Sequence, residues 1–427
     1  MRGDSDTNGG LSRAGFLAGM GGLGAVALGI GGTAGAAATP LGRIPPGRPA
    51  PTGPAGATGR RGVRYRSVCY TLLDGESPGT AWSARRMRHD IRAVARDLHA
   101  NSVKVTGDGV DRIAATSTEA AEHGLHIWVE PTLSDRPQRE TLEHLAESGR
   151  HAEALRRQGA DVQLSVGCEF WLLVPGIVPG ATVLDRIETL RNGTYDPVDT
   201  QRKLDDFTAR AAKVGRRVFR GRLSYAAAQS DEVDWRLFDI VGIDYYSYFP
   251  RPEQYARELR RYLRWGKPLA ITEFGTCTYE GAPAAGGMGW DLVDYGKNPP
   301  EIIGDPVRSE RTQARYLTGL LDVFEGLGLY AAMAFEFLTA DAPHRPDSPR
   351  HDLDLASYAI VKPFRNDPAD PASDWHWEPK EAFRALAARY GVYGKQPGPG
   401  GNRGAYGGNG RYGAGPGRGG EGALVIR

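Results

Sequence analysis

Two glutamates stand where short apolar runs end: Glu169 in VQLSVGCEF (162–170) and Glu273 in LAITEFG (269–275). A carboxylate at the edge of a core gives up its hydration, which is costly unless the group has partners or a task. Other acids share the pattern. Glu130 closes LHIWVE (125–130), Asp244 stands beside Tyr245 and Tyr246 in DIVGIDYY (239–246), and Glu336 lies in YAAMAFEF (330–337). One strand-end carboxylate is as often a loop cap or an ion-pair partner as a working group. Two that face each other across a cleft can divide proton donation from attack, provided their surroundings push their pKa values apart. Lys104, a polar residue in the otherwise apolar run SVKVTG (102–107), is a candidate cation for one of them.

The elements that must position these residues are legible as a repeat. Between residues 63 and 393 eight short runs, among them YRSVCY (65–70) and RVFRGRLSY (217–225), alternate with amphipathic stretches. Several of the runs carry Val and Ile, as strands do. In SARRMRHDIRAVARDLHA (83–100), Met87, Ile91, Val94, Ala95 and Leu98 recur at helical spacing. PEQYARELRRYLRWG (252–266) and RSERTQARYLTGLLDVFEGLG (308–328) repeat the design. Eight strands alternating with helices predict an α/β fold, a (βα)8 TIM barrel. A doubly wound open sheet is the rival, but no phosphate-binding glycine loop opens any of these helices. In a barrel the C-terminal strand ends line one mouth. Strands four and seven lie on opposite sides of it, close enough for Glu169 and Glu273 to face one substrate.

On these motifs the sequence resembles the clan of retaining glycoside hydrolases with (βα)8 barrels. ITEFG matches the strand-seven motif, VGCEF matches the strand-four motif in part, and DIVGIDYYSY with KPLAITEFG is similar to the strand-six to strand-seven passage of endo-galactanase and mannanase-type families. The resemblance implies that Glu169 is the acid/base and Glu273 the nucleophile. The sequence departs from the pattern at three places. Cys168 stands where the clan has Asn, Lys104 where strand two has Arg, and Phe335, Glu336 and Phe337 where strand eight often has Trp. A thiol is a poor substitute for an amide hydrogen bond, and Lys lacks the guanidinium fork.

The residues fit those roles. Lys104 with Tyr245 or Tyr246 would hold Glu273 ionised. The neighbours of Glu169, Cys168 on one side and Phe170 and Trp171 on the other, would raise its pKa and suit a general acid. Trp171 and Trp290 are candidate sugar platforms or core residues. Lys104, Glu130, Tyr245, Tyr246 and Glu336 complete the candidate substrate-binding set.

The rest of the chain bounds the reading. The 427 residues carry a net charge of only +2, which argues against nucleic acid as a partner. Residues 1–38 have the layout of a signal peptide, and SRAGFLAG resembles a twin-arginine signal with Ala14 in place of the second arginine. Residues 39–62 read as a Pro/Gly-rich linker and 394–427 as a Gly-rich disordered tail. The expectation is a secreted or cell-surface protein, exported by the Sec or twin-arginine route, without stable membrane insertion. No zinc-type ligand spacing appears around His126, His344 or His351, so no metal or other cofactor is expected. Cys69, Cys168 and Cys277 fit no zinc motif either. Three readings stand: an exported retaining glycosidase acting on a polysaccharide or glycoconjugate, a barrel at the cell surface that binds glycan without cutting it, and a cell-surface interaction protein that uses its Gly/Tyr-rich tail. Neither oligomeric state nor the sugar is written in these residues.

Overall fold

In a computed structural model, residues 62–73, 80–367, 370 and 373–392 are described. The expected signal segment, the linker up to residue 61 and the Gly-rich tail lie outside the described residues. Eight parallel strands close into a barrel in the order β1-β10-β7-β6-β5-β4-β3-β2. They are β1 (Tyr65–Leu72), β2 (Ser102–Gly107), β3 (His126–Pro131), β4 (Val162–Cys168), β5 (Leu223–Ala228), β6 (Val241–Asp244), β7 (Leu269–Phe274) and β10 (Ala331–Ala334). A two-stranded excursion, β8 (Val293–Asp294) and β9 (Glu301–Ile302), rises from the long connection after β7. The (βα)8 barrel expected from the alternation is the fold observed.

Helices cover the barrel because each has one apolar stripe. In α1 (Ala84–Arg96) Met87, Ile91 and Val94 are buried, as their spacing predicts. The α6 helix (Pro197–Val218) begins on Asp196, whose carboxylate accepts from the backbone N–H groups of Val198 and Asp199, with Pro197 in the first turn. It buries Leu204, Phe207, Ala211, Ala212 and Gly215. The α7 (Pro252–Leu263) and α8 (Glu310–Leu327) helices fall where their periodicity put them.

One expected strand is displaced. The run 217–225 was expected to be strand five, but α6 continues through Val218 and β5 begins at Leu223. A capped helix that is still burying its stripe at Gly215 outcompetes the β-branched Val218 for that stretch. The consequence reaches the mouth: the fifth strand ends at Ala228, not at Tyr225. An antiparallel hairpin, β11 (Val361–Arg365) with β12 (Trp375–Pro379), and α9 (Glu381–Gly391) follow the barrel and were not anticipated.

Gly242, in the short β6, shows how closely the strands approach. A Cβ there would come within 2.4 Å of the Tyr225 carbonyl oxygen on β5. Gly319 in α8 has nothing within 4 Å of the same position. Gly242→Ala should therefore lower unfolding free energy by about 1–3 kcal/mol, the range for overpacking. Gly319→Ala should raise it by up to about 1 kcal/mol, from helix propensity. Paired urea titrations measure both, and equal effects would contradict this account of the β5–β6 contact.

Candidate active site

The two strands that carry the paired glutamates are both bulged. Between β4 and β5 the register runs from Ser165↔Ser224 to Cys168↔Ala226, so β4 holds one extra residue. Between β6 and β7 it runs from Ile243↔Ile271 to Asp244↔Glu273, so Thr272 is extra, and β10 meets the same irregularity. A bulge re-aims the side chains beyond it. In β4 the device needs glycine: Gly167 has φ 145°, and a Cβ there would lie 2.4 Å from the Phe170 ring. Glu169 follows in the left-handed region, φ 35° and ψ 56°. Its N–H is held by the Ala226 carbonyl, while the Tyr225 hydroxyl accepts from Phe170 N–H at 2.8 Å.

Beyond the bulges lies a buried polar cluster. Lys104 Nζ donates to Glu130 Oε1 at 2.7 Å and to Glu273 Oε1 at 2.8 Å. The Tyr246 hydroxyl donates to the other oxygen of Glu273 at 2.8 Å. Thr106 adds a bond to Glu130 Oε1 at 3.2 Å. Asp244 accepts from Thr272 Oγ1 at 2.7 Å and from Cys168 Sγ at 3.4 Å. Glu169 Oε1 has no hydrogen-bond partner among the described residues. Only 1 % of Glu169 and 2 % of Glu273 is exposed.

Charge in this space is unbalanced: Glu130, Glu169, Asp244 and Glu273 surround one ammonium. Burial alone would strip the Lys104 proton, but the Glu130 and Glu273 carboxylates outweigh it and hold the amine well above its ordinary range. The acids respond in the other sense. Burial raises Glu169 well above the carboxylate range, with Asp244, Glu273 and Asp231 adding to it and Lys104 opposing weakly. Burial and Asp244 also raise Glu273, against a stronger pull from Lys104 and its hydrogen bond. Asp244 is pushed up to about 7, mainly by burial. Glu273, with a cation on one oxygen and a phenol on the other, has the partners that favour a charged carboxylate. Glu169 has acids around it and no such partner on Oε1.

The other expected site residues divide. Lys104, Glu130 and Tyr246 join Glu273, whereas Tyr245, expected beside it, does not. Tyr245 points into the helix layer, where its hydroxyl donates to Glu258 at 2.7 Å and its ring packs edge-on against Tyr255 and Phe324. Adjacent residues at a strand end face opposite ways, and only one of the two tyrosines can reach the mouth. Glu336 is fully buried and accepts from Thr71 at 2.5 Å and Thr339 at 2.7 Å. Trp290 lies in the connection after β7, near Tyr295, and is core-like in its burial. Trp171 is nearly buried in the single turn Phe170–Leu173 that follows Glu169.

The sequence reading missed two contributors. Tyr358 stacks edge-on against Tyr246 and binds Gly289 N–H and the Gly286 carbonyl, bracing the phenol that donates to Glu273. Asp231 follows β5 and accepts from Tyr225 at 3.0 Å. The turn QSDEVD (229–234) would have drawn attention to it had the end of strand five been placed correctly.

Among the described residues two groups bring metal-type ligand atoms within 4.8 Å of one another: Glu130, Cys168 and Glu273, and His344, Asp352 and Asp354. Each already has a protein cation among its acids. Lys104 serves the first, and Arg308 serves the second at 2.7 Å from Asp354 and 3.3 Å from Asp352. Among the described residues no helix is long and apolar enough to cross a membrane.

No family model matches the sequence, and no curated protein does. Solved structures similar to this chain include a beta-glycosidase, at 13% identity and TM-score 0.47, covering 80% of this chain and 99% of that one. A beta-D-glucuronidase from Dictyoglomus thermophilum is similar at 14% identity and TM-score 0.47, over 79% of this chain and 53% of its own length. A broad-specificity endoglucanase from Clostridium longisporum is similar at 10% identity and TM-score 0.44, over 78% of this chain and 96% of its own. The fold rests on the closed strand order, and the chemistry rests on the residues at its mouth.

Two outcomes test the electrostatics. Lys104→Met leaves two buried acids without their cation, so stability at neutral pH should fall by about 3–5 kcal/mol. The deficit should shrink in acid, where Glu273 takes up its proton, and a pH-independent deficit in denaturant titrations would rule out this charge arrangement. Glu336 supplies the second outcome. Burial raises its pKa from 4.5 to about 8, so the folded state keeps a proton that the unfolded chain releases. That contribution is whole below the unfolded value and declines as pH rises toward the folded one. Glu336→Gln should flatten this decline, gaining on the wild type at alkaline pH, as the denaturation midpoint followed against pH reports.

Proposed function

We propose that the chain is an exported retaining glycoside hydrolase that cleaves O-glycosidic bonds by double displacement. The observation that carries this is the unlike treatment of two carboxyl groups at one barrel mouth. Glu273 is held through both oxygens by Lys104 and Tyr246, and Glu169 is buried with an oxygen free. Such a pair gives one acid that can donate and one carboxylate that can attack.

In the first step a Glu273 oxygen attacks the anomeric carbon while Glu169 protonates the departing glycosidic oxygen. The bond to the leaving group breaks and a glycosyl ester of Glu273 forms. In the second step Glu169, now ionised, takes a proton from water. The resulting oxygen nucleophile attacks the same carbon, and Glu273 leaves as a carboxylate. Lys104 and Tyr246 orient Glu273 and disperse its charge when it is free. Tyr246 must loosen as the ester forms, because a bonded oxygen is a weaker acceptor. The substrate would be a polysaccharide or glycoconjugate, and export rests on the sequence of residues 1–38 alone.

The near-complete burial of both glutamates favours a second reading, a barrel that binds glycan without cutting it. A panel of aryl glycosides and cell-wall glycans separates the two. Binding of one glycan with no cleavage of any would establish the second.

The roles of the two acids differ, and so should the variants. On a nitrophenyl glycoside Glu273→Ala should lose activity by several orders of magnitude, since no ester can form. Glu169→Ala should retain the first step, because the leaving group needs little protonation, and should accumulate the ester. Azide, which needs no base, should rescue Glu169→Ala and yield a glycosyl azide of retained configuration. With Glu273→Ala azide attacks directly and should give the inverted product. Full activity in both variants on a confirmed substrate would remove these assignments.

A further inference from the structure

The turn that carries Glu169 is held from the fifth strand. Glu169 N–H donates to the Ala226 carbonyl at 2.9 Å, and the next N–H, that of Phe170, donates to the Tyr225 hydroxyl at 2.8 Å. Both peptide groups that flank Glu169 are thus tied to β5. The Tyr225 hydroxyl in turn donates to Asp231 Oδ2 at 3.0 Å. Its ring is fully buried and stacks on Phe170, with centroids 4.6 Å apart. Asp231 N–H donates to the Ala228 carbonyl at 3.0 Å, which fixes the loop after β5 where its carboxyl meets Tyr225.

The Glu169 carboxyl has fewer anchors than its backbone. Among the described residues Oε1 has no hydrogen-bond partner. The backbone at Glu169 is left-handed, a conformation that a residue with a side chain keeps only where its surroundings hold it. The direction of the side chain therefore follows the backbone, and the backbone follows its ties to β5.

We infer that Tyr225 and Asp231 are positioning residues for the acid/base: Tyr225 fixes the peptide that aims Glu169, and Asp231 fixes Tyr225. The inference rests on the glycosidase reading for the role of Glu169, and on the hydrogen bonds from β5 for the coupling. Asp231 also acts through charge. Burial is the main cause that raises Glu169; Asp244 on β6, Glu273 on β7 and Asp231 add to it, and Lys104 on β2 opposes them. Cys168 precedes Glu169 on β4, and Glu130 on β3 shares Lys104 with Glu273. Around Asp231 itself the clefts are lined by Asp205 and Glu232 and by Arg202, Arg261 and Arg264. Burial pushes Asp231 up to about 7, so its charge, and its hold on the Glu169 proton, grow as pH rises through that value. Removing that charge lowers the pH at which Glu169 ionises.

Steady-state kinetics on aryl glycosides that differ in leaving group tests the positioning. The ratio kcat/KM reports the first step alone, in which Glu169 acts as acid. Tyr225→Phe keeps the ring and removes the hydroxyl. Its kcat/KM should fall about 10–100-fold on the poorest leaving groups and change little on nitrophenyl glycosides, which need little protonation. Tyr65→Phe removes a hydroxyl bonded to Asp161 at 2.8 Å, at the end of β1 opposite the mouth, and should leave the leaving-group dependence unchanged. Asp231→Asn keeps the size of the side chain and removes its charge, so the alkaline limb of kcat/KM against pH should move to lower pH. An equal loss on all leaving groups, the same loss in Tyr65→Phe, or an alkaline limb that does not move down overturns the inference. A second measurement needs no turnover. Titration of Glu169 in the full chain, followed by NMR of isotope-labelled glutamate Cδ and assigned with Glu169→Gln, should shift to lower pH in Asp231→Asn. That shift in a protein that hydrolyses no glycoside would keep the coupling and remove only the glycosidase reading. Hydrolysis with a Glu169 titration untouched by Asp231→Asn would do the reverse.

Discussion

The Lys104 ammonium is the fixed point of the barrel mouth. It lies between Glu130 on β3 and Glu273 on β7, at 2.7 and 2.8 Å, and is fully buried. A buried cation with one partner removed is strongly destabilising. Lys104, Glu130 and Glu273 are therefore interdependent, and they tie β2, β3 and β7 together across the barrel. Everything else in the cluster adjusts to that arrangement. One ammonium cannot neutralise four carboxyl groups, so protons must remain on some of them, and position decides which.

Position is decided by backbone irregularity. The extra residue in β7 carries Thr272 to Asp244 and leaves Glu273 facing Lys104 and Tyr246. The extra residue in β4, with Gly167 and the left-handed Glu169, places a carboxyl group among acids without a partner for one oxygen. A regular strand would alternate its side chains in and out and could not present neighbouring residues in this way. The Phe170 ring, stacked on Tyr225 and edge-on to Phe207, pins the turn that follows.

A second ionic cluster secures the part of the chain beyond the barrel. Lys380, buried before α9, lies 2.8 Å from Asp354, and Arg308 spans Asp354, Asp352 and Glu310. Gln313 of α8 donates to the carbonyls of Thr276, Tyr358 and Ala359. These bonds hold the connection after β7 against the 353–359 segment, and so hold Tyr358 against Tyr246. The environment of Glu273 thus depends on residues more than eighty positions away in sequence.

The sequence by itself determined the repeat, and with it the barrel. Apolar runs of strand length and stripes of helical period are local properties, and seven of the eight strands begin within a few residues of the expected positions. It also marked Glu169, Glu273 and Lys104, because an ionisable residue at the end of an apolar run is unusual wherever it occurs. What it could not determine was decided by contacts between distant segments. The fifth strand moved because α6 was still burying its stripe. Tyr246 was separated from Tyr245 only once the pleat assigned one ring to the mouth and the other to the α7–α8 layer. The bulges, the bracing by Tyr358 and the partner-free oxygen of Glu169 arise from register and packing, which no short window of sequence contains. Charge placement is the last example: which carboxyl keeps its proton depends on the distance of each from one ammonium, and those distances exist only in the folded barrel.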